Sequence, residues 1–262
     1  DVAGFVAATL FRGVACAQVP TTLLAMVDAA IGGKTAVDIV EGKNLVGAFW
    51  QPRFVLADPG CLATLPERER VAAFGEVVKY ALLGDTELFS ALENGRQVDL
   101  GELIVRCARL KARLVEQDES DRGVRALLNL GHTVGHAIEA ASLAASAPHG
   151  AAALRHGEAV ALGLVAAVRV SVKMRLCDPS LAERLQRVLV AQGLAAQLDP
   201  WLRDDAVRGY LAADKKRSGH KVRFVALGDV GVPKPVWLFP DEIWHILKLP
   251  EKRWYDGSGG FV

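Results

Sequence analysis

Apolar residues recur every three or four positions from Arg70 to Leu83, from Leu100 to Val115 and from Ala159 to Leu176, and each run predicts a helix with a buried face. Asp1 to Leu10, DVAGFVAATL, predicts a further amphipathic helix that is already under way at the first residue, with neither an initiator Met nor a capping turn; it reads as a cut end. The pattern before Pro66 differs. β-like runs at Val14 to Val19 and Phe54 to Ala57 flank a glycine-rich stretch from Gly32 to Gly47. Residues 1–66 therefore predict an α/β segment, and residues 67–262 a mainly α-helical domain. Near the end, Lys221 to Leu227 predicts a strand, Pro235 to Phe239 a second, and Asp241 to Leu249 a closing helix. ASLAASAPHGAAALR, between Ala140 and Arg155, predicts a surface loop because Pro148 and Gly150 interrupt a helix, and WYDGSGGFV predicts a loose tail.

Composition narrows the function classes. With 262 residues, 51% apolar and 23% charged, the chain can build one large or two modest cores and is not disordered. A net charge of +1 supplies no global field for nucleic acid or anionic lipid, so anions must be held by local clusters of Lys, Arg and His, and the expected partner is a small molecule. The four cysteines, Cys16, Cys61, Cys107 and Cys177, are widely spaced and form no C-x-x-C pair, which suggests neither a zinc knuckle nor a disulfide framework and fits a reducing cytoplasm. No run approaches the roughly 18 apolar residues of a membrane span, and no basic-then-apolar leader opens the sequence.

Five segments carry candidate chemistry. In IGGKTAVDIVEGKN, Ile31 to Asn44, two lysines sit beside paired glycines that let backbone amides approach an anion. A P-loop would need glycine where Asp28 stands, so the Walker reading fails, and alone the segment reads rather as a lysine-bearing surface turn. In FGEVVKY, Glu76 and Lys79 share a helix face, as ordinary ion pairs do. In RALLNLGHTVGHAIE, His132 and His136 lie one turn apart with Asn129 and Arg125 extending the stripe backwards. H-x-x-x-H can hold a divalent metal or be a pair of satisfied core histidines; Thr133 stands where the zinc-protease motif needs Glu. His156-Gly157-Glu158 heads an apolar helix and offers a third ligand, with His149 in the preceding loop as competitor. Asp214-Lys215-Lys216-Arg217 is a cationic run that reads as a solvated turn.

The order of these segments resembles the 3-dehydroquinate synthase family. The matching stretches are DVAGFVAATLFRG, QVPTTLLAMVDAAIGGKTAVD, EGKNLVGAFWQP, LATLPERE, GEVVKY, KARLVEQDE, LNLGHTVGHAIE, HGEAVALG and ADKK, from Asp1 to about Leu249. The resemblance implies that residues 1–66 are the C-terminal part of an NAD-binding α/β domain. Its pyrophosphate loop, with on the order of a hundred residues, would precede Asp1. Residues 67–262 would form a helical metal- and substrate-binding domain. The resemblance makes Glu76, His132 and His156 the metal ligands, an O,N,N set suited to Zn²⁺ or Co²⁺, and passes over His149. It makes Asp28, Lys34, Asn44, Lys79, Lys111, Arg125, Asn129, His136, Lys215 and Lys216 the substrate and catalytic set, with Arg12 on the phosphate side. Thr21, Thr22, Lys34, Lys43, Cys61, Leu62, Ala63 and Thr64 match NAD-contacting positions.

The implied reaction is that of a carbon–oxygen lyase of the shikimate pathway, which converts 3-deoxy-D-arabino-heptulosonate 7-phosphate to 3-dehydroquinate and phosphate with NAD⁺ borrowed and returned. A cytoplasmic homodimer is implied as well. Two alternatives stay open: another sugar-phosphate cyclase of the amino-dehydroquinate or inosose type, and a truncated chain that does not turn over.

Overall fold

The computed structural model describes residues 1–39, 42–143, 153–218 and 221–250, with the side chains of residues 42, 43 and 214–218 left out of the description. The helices are α1 Val2–Thr9, α2 Glu67–Gly84, α3 Thr86–Glu93, α4 Leu100–Gln117, α5 His132–Leu143, α6 His156–Lys173, α7 Ser180–Ala191, α8 Asp199–Leu202, α9 Asp205–Ser218 and α10 Pro240–Lys248. Two hairpins complete the set, β1 Lys34–Ile39 with β2 Gly42–Phe49 and β3 Val222–Asp229 with β4 Val232–Leu238. An α/β segment is thus followed by a mainly helical one. By contact the chain divides into two compact units, Asp1–Arg70 with Val98–Arg125, and Val71–Gln97 with Ala126–Val262.

In the first unit α1 lies on the β1–β2 hairpin, close enough that a Cβ on Gly4 would meet Thr35 Cγ2 at 2.4 Å. The glycine-rich stretch is therefore mostly antiparallel strand, paired from Lys34 with Phe49 to Ile39 with Gly42. Gly32 and Gly33, at φ 94° and 66°, turn the chain into it, and Trp50 N donates to Gly33 O at 2.7 Å to close its base. The runs 14–19 and 54–57, expected as strands, form no named strand and pair in a single parallel bridge, Gln18 with Val55. Among the described residues no further strand pairs with either, so no ladder propagates. α4 starts on Asp99, whose side chain accepts from Glu102 N at 3.0 Å, and buries Leu103, Ile104, Cys107, Lys111 and Val115 at helical spacing. It packs on a single π-helical turn, Ala25–Ala29.

The second unit is organised around α6, buried on nearly every side from Gly157 to Lys173. α5, α7, α10 and β3 pack on it. Ser171 Oγ accepts from Leu227 N at 2.9 Å and donates to Ala167 O at 2.7 Å, tying α6 to β3 without an unpaired polar group. α3 and α7 are joined by Arg184, whose Nε and Nη2 lie 2.8 and 2.9 Å from the two oxygens of Glu93. The cationic run Asp214 to Arg217, expected as a turn, lies within α9. The first residues of the Ala/Ser-rich segment extend α5 to Leu143; its centre and the final tail lie outside the described residues. No helix among the described residues is long and apolar enough to cross a membrane.

Glycine sets the helix spacing. A Cβ on Gly157 would stand 1.8 Å from Ala72 O, one on Gly75 2.0 Å from Gly157 O, and one on Gly163 1.9 Å from Gly131 O. These obstacles are backbone and cannot rotate away. Gly163→Ala is therefore expected to lower unfolding free energy by roughly 1–3 kcal/mol or more through overpacking. Gly209→Ala, on α9 with nothing within 4 Å of the added methyl, should gain roughly 0.5–1 kcal/mol from helix propensity. Urea unfolding monitored by circular dichroism checks both signs.

Candidate metal centre

The same close approach brings together three side chains in the second unit that could hold a metal ion. Glu76 follows Gly75 on α2, His156 precedes Gly157 at the start of α6, and His132 follows Gly131 at the start of α5. α6 can begin at His156 because the Glu158 carboxylate accepts from Arg155 N at 2.8 Å, satisfying an amide left over at the helix start. α5 begins at His132 because Gly131, at φ 80°, breaks the preceding 3₁₀ turn, Val124–Asn129. Ligand atoms of Glu76, His132 and His156 lie within 4.8 Å of one another.

Glu76 is wholly buried. Its Oε2 pairs with Lys79 Nζ, and its Oε1 lies 3.4 Å from His132 Nε2 and 3.2 Å from His156 Nε2. Burial alone would raise the carboxyl's pKa, but the Lys79 and His132 charges and the histidine hydrogen bonds hold it well below the usual carboxylate range. His132 Nδ1 is 3.1 Å from Leu130 O, a geometry that requires the proton on Nδ1. In the neutral ring the Nε2 lone pair then faces a carboxylate oxygen, an arrangement that only a proton or a cation between them makes favourable. His156 stands between two carboxylates, with Nδ1 3.5 Å from Glu139 Oε2. Burial depresses its basicity, yet the hydrogen bonds to Glu139 and Glu76 outweigh that and raise its pKa to about 9. One oxygen and two imidazole nitrogens, oriented by partners and converging on one point, fit a divalent cation of the Zn²⁺ or Co²⁺ kind.

The other expected site residues have distinct surroundings. His136 is exposed on α5, its ring centroid 5.1 Å from that of His132 and 5.9 Å from that of His156; with Glu139 and His156 it forms a second set of groups within 4.8 Å. Lys79 is buried against Glu76, and Asn129 is exposed at the end of its 3₁₀ turn. The stripe expected to run from Arg125 to His136 on one helix is broken at Gly131, so Arg125 and Asn129 belong to a different element from the histidines.

The remaining described positions belong to the first unit. Arg125 is 1% exposed, with Nη1 donating to Glu119 O and Nη2 to Gly32 O, both at 2.6 Å. Lys111 Nζ reaches Asp28 O at 2.8 Å and Asp28 Oδ1 at 2.9 Å across the π-helical turn. Lys34 pairs with Asp121, and Asn44, at φ 54°, donates its amide to Asp38 Oδ1 at 2.9 Å. Arg12, at φ 66°, Thr21, Thr22, Ala63 and Thr64 are exposed, Cys61 is half-buried and Leu62 buried. The side chains of Lys43, Lys215 and Lys216 lie outside the description. The sequence reading missed Glu139, although it lies two helical turns beyond His132 and so on its face.

Two family models cover most of the chain: "3-dehydroquinate synthase N-terminal" matches residues 1–72 and "3-dehydroquinate synthase C-terminal" residues 73–217. The 3-dehydroquinate synthase of Synechocystis sp. is 44% identical over 248 residues, 90% of this chain and 67% of that protein. That of Caulobacter vibrioides is 46% identical over 251 residues, 90% of this chain and 66% of its own. The chain thus spans about two thirds of the length of these relatives. Among solved structures, 2-deoxy-scyllo-inosose synthase complexed with carbaglucose-6-phosphate, NAD⁺ and Co²⁺ superposes with a TM-score of 0.78 at 29% identity, covering 94% of this chain and 69% of that one. The 2-epi-5-epi-valiolone synthase of Streptomyces hygroscopicus with NAD⁺ and Zn²⁺ bound gives 0.77 at 27% identity, covering 93% and 68%.

The pH dependence of stability reports on the centre. The folded-state pKa of His156 is about 9, against 6.5 unperturbed, so in the metal-free protein its contribution is fully present below about pH 6.5 and is lost as pH rises through about 9. A cation needs that ring deprotonated. The rise in melting temperature on adding Zn²⁺ is therefore expected to grow from pH 6.5 to 9, as thermal melts at matched ionic strength would show.

Proposed function

The chain belongs to the 3-dehydroquinate synthase family, and we propose that it carries out the metal- and NAD-dependent conversion of 3-deoxy-D-arabino-heptulosonate 7-phosphate to 3-dehydroquinate and phosphate. The observation that carries this reading is the convergence of Glu76, His132 and His156 in a chain 44–46% identical to synthases of that name.

In this reading Glu76, His132 and His156 hold the cation. When bound, the cation supplies Lewis acidity, lowering the pKa of the substrate alcohol that is to be oxidised. NAD⁺, when bound, would supply the hydride acceptor. In this reading Thr21, Thr22, Thr64 and Lys34 would offer the hydroxyls and ammonium that a ribose or a pyrophosphate takes.

The protein side chains fall into two kinds. Lys79 balances the buried Glu76 charge, so the carboxylate stays ionised without needing solvent. In this reading His136, exposed beside the two histidines, would relay the alcohol proton or bond the phosphate; its exposure and its proximity to His132 support this. Lys34, half exposed, would exchange Asp121 for a substrate anion. Arg125 and Lys111 already bind backbone carbonyls, and their contribution is to fix Gly32 and Asp28 while adding positive charge.

A second reading, a cyclase acting on a phosphorylated sugar without a carboxylate, is favoured by the fit to 2-deoxy-scyllo-inosose synthase, but at 29% identity. Phosphate release separates the two. With Zn²⁺ and NAD⁺ supplied, the purified chain is expected to release phosphate from the heptulosonate phosphate and not from glucose 6-phosphate, and to stop on chelation. Release from glucose 6-phosphate at an equal or greater rate, or none from the heptulosonate phosphate, contradicts the proposal.

A further inference from the structure

Both ligand histidines present the same edge to Glu76. His132 Nε2 and His156 Nε2 lie 3.4 and 3.2 Å from Glu76 Oε1, and each ring turns Nδ1 away from it. For His132 the group behind Nδ1 is the Leu130 carbonyl, at 3.1 Å, on the residue that leads into its own helix. His156 has no such backbone acceptor among its described contacts. It is the first residue of α6, its side chain is 32% exposed, and packing therefore does not fix its ring on every side. What stands behind its Nδ1 is the carboxylate of Glu139, 3.5 Å away and 12% exposed. Glu139 reaches that position from α5, which α6 can approach closely because Gly135 has no side chain; a Cβ there would lie 3.0 Å from Ala159 O.

We propose that Glu139 is the positioning residue of the metal centre. It accepts the Nδ1 proton of His156, fixes the tautomer with a free Nε2, and holds the ring at the angle that points this nitrogen to the shared site. The proposal rests on the reading of Glu76, His132 and His156 as ligands. A carboxylate behind a ligand imidazole also raises its basicity, and loss of such an outer partner typically lowers metal affinity by about 10–100-fold. Glutamine keeps a carbonyl oxygen that can accept the same proton, so it should restore orientation while removing charge.

The test is Zn²⁺ binding by chelator competition, with the visible spectrum of the Co²⁺-loaded protein, on wild type, Glu139→Ala, Glu139→Gln and His156→Ala, each checked for native circular dichroism. Wild type should take up one equivalent. Glu139→Ala should keep one equivalent but bind about 10–100-fold more weakly, with an altered Co²⁺ spectrum. Glu139→Gln should recover most of the affinity, and His156→Ala should lose more than either. Equal affinity and an unchanged spectrum in Glu139→Ala overturn the proposal while leaving the centre intact. So does a fall from two equivalents to one, which would make Glu139 a ligand of a second ion with His136. Failure of wild type to bind Zn²⁺ overturns the metal centre itself, and the role of Glu139 with it.

Discussion

The backbone-to-backbone approach of α2, α5 and α6 is the constraint on which the rest of the second unit depends. Gly75 against Gly157, Gly157 against Ala72 and Gly163 against Gly131 bring helices to distances that no larger residue permits. The residues that could hold a cation are the neighbours of those glycines in sequence, Glu76, His156 and His132. Helix packing and site construction are thus one event: the contact that buries α6 also sets the spacing of the donor atoms. A site held by rigid helices rather than loops loses little to side-chain motion, as preorganised metal ligation requires.

That construction has an electrostatic cost, which the surroundings offset locally. Glu76 is placed where no water reaches it, a position tolerable for a carboxylate only with compensating charge. Lys79 takes one oxygen and the two imidazoles face the other. The first unit repeats the principle with neutral partners, for buried Arg125 sits on two carbonyl oxygens. In both units a buried ionisable side chain has its partners supplied by the fold itself.

Much of this was legible in the sequence, and the rest was hidden for physical reasons. The long helices followed from apolar period, since α2, α4 and α6 each bury a face for many residues. The grouping of Glu76, His132 and His156 was available only through the family resemblance, because residues 56 and 24 positions apart in sequence meet by tertiary packing that local pattern does not encode. Gly131 ended the expected Arg125–His136 stripe, since a glycine in a helical pattern does not announce a positive φ. The predicted strands at 14–19 and 54–57 had strand composition without enough partners to form a sheet. Helical propensity in Ala212 to Lys216 outweighed the turn reading of the cationic run. Glu139 carried a signal, its spacing from His132, that had no meaning until His156 was known to lie opposite.

The central claim is that helix packing assembles a mononuclear centre of one carboxylate and two imidazoles. X-ray absorption at the zinc edge of the Zn²⁺-loaded chain tests it most directly. The account predicts a shell of oxygen and nitrogen only, near roughly 2.0–2.1 Å, with outer scattering from two imidazoles. A sulfur in the shell, or scattering from a single imidazole, would contradict it.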